Sequence, residues 1–578
     1  MKLTKNKAMY TPGETVSICL STKSDAIPLT DGKFEMTIYH LEEIVQIKKG
    51  TWNQSMIEIQ WQTPSIDFQG YLVKVILYNE KNQEVAQETI GVDISSSWTK
   101  FPRYGFLTDF STGTDTKKII DQMKNWQLNG IEYYDWKFLH HQLLPLDGAM
   151  TWQDWSGRFI DGNIVKDYIT QAKKMGMVNM SYNMIYAATN NFADYGIDDR
   201  WGLWYAKNQG EDKKQGDRFT FQMGKSPSGQ SDLYFFDIEN EDWQDYIIKK
   251  NKEAIESMGF DGWHGDTVGE WGEMWTFDKK NTSAEGKLVK DGYTTFLNKA
   301  KHKLGDYYLS FNPVGAQGIE NVNSSDVDVL YAEIWPWDFD SEDNQYNTYL
   351  SLKLEIDQSR KESGGKSLII PAYMEYDYAQ SVESEPFNLA AVMLTDAVVY
   401  AAGGSRIELG DGNQMLSNEY FPSHHLYMTE EHLFRQHALQ NFIVAYENLL
   451  RDGLEDNGHV IEIKHQEVSD KGEANKVWAY SKESESYETI QFINLVGIST
   501  NDWRANEGKK ETPNIQSDLV VTYYTDTTVD SAWITSPDPF YQGLSINLEM
   551  EKGQDEKGSF IRVVMPTLEY WNMVYLKK

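Results

Sequence analysis

The chain has 578 residues, more than one hydrophobic core normally holds, so about two to four domains are expected. Aromatic residues make up 13% of it, and 87 Asp and Glu against 54 Lys and Arg leave a net charge of −33. The first figure excludes a disordered chain, and the second repels phosphate backbones and anionic lipid, so neither nucleic acid nor a membrane is an expected partner. The single cysteine, Cys19, leaves no internal disulfide and no thiolate zinc cluster.

Residues 1–97 read as short strands. Val16–Leu20, Phe34–Tyr39 and Tyr71–Tyr78 alternate apolar with polar residues, and Thr11-Pro-Gly13 and Thr30-Asp-Gly32 mark turns between them. This spacing predicts a β-sandwich of roughly immunoglobulin type. From Trp98 to about Leu450, eight short apolar runs alternate with amphipathic helices. The runs are Tyr104–Phe110, Gly130–Trp136, Val178–Asn183, Phe260–Asp266, Tyr307–Asn312, Val329–Trp335, Leu368–Tyr373 and Ser405–Leu409. The helices are Asp115–Trp126, Asn163–Met175, Asn240–Met258, Ala284–Leu304, Tyr346–Glu362, Phe387–Ala402 and Glu430–Leu450. Eight strand–helix alternations suit a (β/α)8 barrel of the TIM type over 98–450. A doubly wound sheet is disfavoured because no G-x-G-x-x-G follows the first strand. Residues 451–578 return to strands, among them Val477–Tyr480, Thr489–Asn494, Leu519–Tyr524 and Phe560–Val564, and predict a second sandwich.

A barrel carries its chemistry at the C-terminal ends of its strands. In Phe260-Asp-Gly-Trp-His-Gly-Asp266, alternation puts His264 and Asp266 on the interior face. Asp266 is well placed as a nucleophile, although an Asp there serves equally well as a helix cap or loop anchor. In Val329-Leu-Tyr-Ala-Glu-Ile-Trp335, Tyr331, Glu333 and Trp335 face one way and Leu330, Ala332 and Ile334 the other. An acid between two aromatics is poor core design, and such violations are expected at functional sites. Two carboxylates across a barrel mouth match glycoside hydrolysis, in which the acid needs a raised pKa. Desolvation by Trp335 and Trp337 would supply it. A third cluster, Ile131–His141 followed by Thr151–Arg158, closes the second strand with Asp135 and carries Trp136, His140, His141, Trp152 and Trp155. Large aromatics exposed on a long loop suggest a sugar platform, against the plainer reading that they pack on one another. The loop Tyr373-Met-Glu-Tyr-Asp-Tyr378 is similar but less specific. No H-E-x-x-H, EF-hand or G-x-S-x-G pattern occurs, and Asp338–Asp343 reads as a solvated acidic loop.

At Tyr104-Gly-Phe-Leu-Thr-Asp-Phe110, Tyr134-Asp-Trp136, Phe260–Asp266 and Tyr331-Ala-Glu-Ile-Trp-Pro336 the sequence resembles glycoside hydrolase family 66, the endo-dextranases and cycloisomaltooligosaccharide glucanotransferases. The resemblance extends over nearly the whole chain, including Tyr10–Val16. It implies an immunoglobulin-like domain, a (β/α)8 barrel and a C-terminal Greek-key sandwich. It also implies retaining chemistry on α-1,6-linked glucan, with Asp266 as nucleophile and Glu333 as acid/base. Substrate contacts are expected from Tyr134, Asp135, Trp136, His140, Trp152, Trp155, His264, Asn312, Trp335 and Glu375. This chemistry requires no metal or organic cofactor, and the protein is expected to act as a monomer. The cyclising members typically carry a carbohydrate-binding module after strand seven, and the short interval from Tyr373 to Phe387 leaves no room for one. Dextranase is therefore preferred, with the glucanotransferase and a non-catalytic glucan-binding protein as alternatives. The opening Met1-Lys-Leu-Thr-Lys-Asn-Lys7 lacks the apolar stretch of a signal peptide. It leaves two expectations, a cytoplasmic enzyme or an extracellular one whose signal has been removed.

Overall fold

In the computed structural model, which describes all residues except 23–31, 53, 207–214, 223–231, 278–285, 336–338, 342–343, 419–424 and 506, the eight apolar runs pair as parallel strands. They are β1 (Tyr104–Leu107), β2 (Gly130–Tyr133), β3 (Val178–Met184), β4 (Gly262–Asp266), β5 (Tyr308–Phe311), β6 (Val329–Tyr331), β7 (Leu368–Ile370) and β8 (Ser405–Gly410). Sequence neighbours are sheet neighbours, and the barrel closes where β8 pairs with both β7 and β1. Around it lie α1 (Thr116–Asn125), α2 (Gly162–Lys174), α3 (Glu241–Met258), α4 (Tyr293–Leu304), α5 (Ile319–Asn323), α6 (Tyr349–Glu362), α7 (Leu389–Ala402) and α8 (Glu430–Ala445).

The helix starts have a local cause. Asp115, Asp161, Asn240, Thr348, Asn388 and Thr429 each accept a first-turn N–H, so one orphan donor is satisfied at the start of each of these helices. Thr348 capping explains why α6 begins at Tyr349 rather than at Tyr346. Likewise α4 begins at Tyr293, after a single turn over Val289–Gly292, and not at Ala284, which lies outside the described residues. Helix α7 is mostly apolar on every face because it is covered all round, and its buried Asp396 is paired with Arg406. It packs between α6 and the C-terminal strand Tyr487–Asn494.

The sheet portions are shorter than the apolar runs, yet alternation continues beyond them. Tyr331 and Trp335 join an interior cluster with Tyr104, Met180 and Ile369. Leu330, Ala332 and Ile334 join the outer core against the helices.

Before the barrel, a five-stranded and a three-stranded sheet enclose a core including Val16, Ile18, Trp61, Val73 and Val92. After it, a seven-stranded and a four-stranded sheet enclose Phe492, Val521, Ile534, Met565 and Val574. A buried ionic cluster ties the first of these regions to the barrel. Arg103 bridges Asp93, on the last strand of the N-terminal sheets, and Glu447, just after α8, at 2.7 and 3.3 Å, and Arg451 adds a second contact to Glu447 at 3.4 Å.

One feature has no counterpart in the periodicity. Between β3 and α3 the chain builds an all-β extension with strands Ala187–Thr189, Leu203–Ala206, Gln215–Arg218, Thr220–Gln222 and Asp232–Phe235. Trp275–Thr276, from the loop after β4, adds to it by pairing with Leu203 and Trp204.

Candidate active site

Strand β4 ends at Asp266, and the next interior position along β3 in register with His264 is Tyr182. Its hydroxyl donates to Asp266 Oδ2 at 2.5 Å. From the end of β5, Asn312 Nδ2 donates to Asp266 Oδ1 at 3.0 Å and to Glu333 Oε2 at 2.9 Å. The Glu333 N–H returns a bond to Asn312 Oδ1 at 3.3 Å. Asn312 is fixed at both ends of its backbone, by its N–H to Gly265 O and by its carbonyl accepting from Thr267 Oγ1. Behind Glu333, its carbonyl accepts from Gly315 N–H in a tight loop where Gly315 and Ala316 both take positive φ, 73° and 56°. That conformation is uncommon for a residue with a side chain. One amide nitrogen in contact with both acids holds its two acceptor oxygens at most about 6 Å apart, short of the ~6.5–9.5 Å of inverting glycosidases.

Both carboxyls are buried. Burial pushes Asp266 up to about 7, against the lowering influence of bonds from Tyr182, the Thr267 N–H and Asn312. Tyr134 lies against Tyr182, ring centroids 4.4 Å apart. Its own hydroxyl is pushed well up by burial first and then by the charges of Asp135, Asp266 and Glu333.

The other residues expected from sequence fall into distinct places. Trp335 is buried, its ring 5.0 Å from that of Tyr373 and 5.2 Å from that of Tyr376. Trp337 lies outside the described residues. His264 sits one interior layer below Asp266, bonded through Nδ1 to Ser310 Oγ at 3.0 Å and Tyr104 OH at 3.3 Å. Burial pushes it down to about 3, which keeps it neutral. Asp135 is buried in an ion pair with Lys137, with Arg158 Nη2 3.8 Å away. Burial pushes its carboxyl up, but Lys137 and then Arg158 outweigh this and hold it low. Glu375 is also buried. Its Oε1 accepts from the Asn388 N–H that opens α7, and burial pushes it up to about 7.

The exposure expected of the loop after β2 is not observed. Trp136, Trp152 and Trp155 are buried. Trp136 Nε1 donates to Ser181 Oγ, and its ring packs on Phe260 and edge-on to Trp152. Trp155 packs against His140, whose Nδ1 is paired with Asn183 Oδ1. The loop folds back over the outside of β2 and β3, because large apolar rings gain more from the helix–strand crevice than from solvent. Tyr182 escaped sequence reading altogether. The signal was its place on the β3 face shared with Met180 and Met184, but a tyrosine there fits a plain core equally well. Among the described residues, no group of three or more His, Cys, Asp or Glu is arranged to hold a metal ion.

Comparison with known proteins gives this geometry a setting. Residues 5–575 match the model of glycosyl hydrolase family 66. A dextranase of Streptococcus salivarius is 29% identical over 88% of this chain and 67% of its own length. A cycloisomaltooligosaccharide glucanotransferase of Niallia circulans is 25% identical over 99% of this chain and 71% of its own. The crystal structure of a Paenibacillus cycloisomaltooligosaccharide glucanotransferase, complexed with cycloisomaltoheptaose, has the same fold. Its TM-score is 0.89 at 23% identity, covering 100% of this chain and 99% of that one.

Proposed function

Because the chain belongs to glycosyl hydrolase family 66, we propose that it cleaves internal α-1,6 linkages of dextran or isomaltooligosaccharides with net retention, Asp266 acting as nucleophile and Glu333 as acid/base. The observation that carries this reading is the Asn312 amide shared between the two carboxyls. Asp266 attacks the anomeric carbon as the bond from that carbon to the departing O6 breaks, and Glu333 gives its proton to O6. The β-linked glucosyl ester is then opened by water, which passes a proton back to Glu333 and releases the α-anomer. Asn312 serves both half-reactions by holding the two acids at a fixed separation. Tyr182 holds Asp266 Oδ2, so the carboxylate presents a defined face to the sugar.

Two other outcomes share this scaffold. Transfer to the chain's own far end would give cyclic products. Against it stands the interval between β7 and α7, residues 371–388, which holds one short helix, Tyr376–Ser381. A binding module there would need at least ~50 residues. A non-catalytic glucan binder would have no use for an acid pair of this spacing. Product analysis on dextran separates the three. We expect linear oligosaccharides whose first-formed reducing ends are α by NMR. Cyclic products alone would reassign the enzyme as a transferase, a β-anomer would exclude double displacement, and no release of sugar would leave a binder.

A further inference from the structure

We propose that the all-β extension above β3 and β4 carries a distal glucan subsite, with Trp271 as its main stacking platform, that makes the enzyme favour long chains over short ones. The inference rests on the α-1,6-glucanase reading and extends it beyond the acid pair. The chain leaving Asp266 runs through Trp271 and into the extension as the strand Trp275–Thr276. A row of rings follows the same path. Tyr186, whose hydroxyl accepts the Val268 N–H, packs on Phe235 at 4.6 Å. Phe235 packs on Phe219 at 4.6 Å, and Phe219 lies 6.2 Å from Trp271 and 5.1 Å from Tyr205. The inner three rings are buried, whereas Trp271 is 48% and Tyr205 37% exposed.

A lone exposed apolar side chain needs no explanation. Two observations set this one apart. First, its mount is rigid. The indole Nε1 donates to Val268 O at 3.1 Å, and the N–H groups of Trp271 and Gly272 both donate to Glu270 Oε1 at 3.0 Å. The other Glu270 oxygen accepts from Lys290 N–H, and Gln317 Oε1 takes the Glu270 N–H. Gly269 and Gly272, at φ 88° and 83°, supply the turns on either side. Second, it is not alone. With Phe277, packed on Trp204, three of the seven exposed aromatic residues among those described lie on this one extension and the loop feeding it. Ordered rings left open to water on the loop that leaves Asp266 and on the extension it joins fit a ligand with flat apolar faces and a hydroxylated rim. A pyranose chain has both, and Trp271 stands on the loop that leaves Asp266, five residues on. Pre-ordering these rings removes the entropy cost of fixing them on binding.

The test compares high-molecular-weight dextran with p-nitrophenyl α-isomaltoside, which is too short to reach beyond the central subsites. In Trp271→Ala we expect KM for dextran to rise about tenfold, the scale of one lost ring contact, with kcat within about twofold and the short substrate unaffected. Trp271→Phe should restore KM to within about threefold of wild type, because a ring face and not the indole N–H is what the sugar meets. Tyr205→Ala, at the exposed edge, should raise dextran KM about threefold and keeps the test open if Trp271→Ala fails to fold. An unchanged dextran KM in the folded variants, or an equal loss on both substrates that phenylalanine does not rescue, would overturn the subsite. A wild-type protein inactive on both substrates would overturn the glucanase reading and this inference with it.

Discussion

Removing one hydroxyl beside the nucleophile gives the sharpest test of how the acid pair is tuned. Asp266 must be ionised to attack, so activity should rise with pH through its pKa, which burial has pushed up to about 7. The Tyr182 hydroxyl favours the ionised form by donating to Oδ2 at 2.5 Å. In Tyr182→Phe that donor is lost while the ring and its contact with Tyr134 remain. A hydrogen bond to a charged acceptor is worth about 1.5–3 kcal/mol, and 1.36 kcal/mol corresponds to one pKa unit, so the acid limb of kcat/KM should move upward by about 1–2 units. The assay is initial-rate hydrolysis of an isomaltooligosaccharide across the pH range, with Glu375→Gln as control. Glu375 is pushed to a similar value but is bonded to Asn388 N–H and touches neither acid in any bond described above, so its removal should leave the limb in place. An acid limb that stays put in Tyr182→Phe, or that moves in Glu375→Gln, would refute the assignment.

Two further outcomes follow from burial. The folded protein holds a proton on Asp266 between its ordinary value of 3.8 and about 7, whereas the unfolded chain has released it, so this group costs stability as pH rises through that window. Asp266→Asn should therefore lack activity yet melt progressively higher than wild type from pH 4 to about pH 7 and by a constant margin above it, at one fixed scan rate, and a difference that does not grow over that window would contradict the raised pKa. Trp152, packed under α2 and beside Trp136, should behave as core. Trp152→Ala is expected to lose about 3–5 kcal/mol and several degrees of melting temperature with an unaltered KM for dextran, and the reverse pattern would return that ring to the substrate.

The barrel was legible because two periodicities write it. Strands show short apolar runs, helices show three- and four-residue spacing, and eight alternations leave few other architectures. The same alternation placed Glu333 and Trp335 on the interior side even past the end of β6, where the ladder has already stopped. It failed where local pattern carries no information on burial. Trp136, Trp152 and Trp155 look identical in sequence whether they face a sugar or a helix, and only the fold-back of the loop decides. Asp135 comes just past the end of β2, near enough for its charge to push the Asp266 carboxyl up. Its positive φ of 49° ends the strand geometry there, and Lys137, two residues on, closes over it. The extension was invisible because its strands of three or four residues are too short to show a period. Tyr182 was hidden because a tyrosine on an interior face serves as packing or as a donor with no difference in sequence.

The cluster around Arg103 also bears on how the protein is made. Asp93 and Arg103 leave the ribosome early, but Glu447 and Arg451 come from the end of the barrel. At about 5–20 residues per second, the roughly 350 residues between them take about 20–70 s to synthesise. Throughout that interval Asp93 and the carbonyls of Phe101 and Gln127 are the Arg103 partners already made, and Glu447, from the segment after α8, is still missing. The seam between the N-terminal sheets and the barrel is thus among the last things the nascent chain completes. A ribosome stalled inside the barrel would leave a finished sandwich attached to an open, charged edge, the kind of species that chaperones and proteases sort.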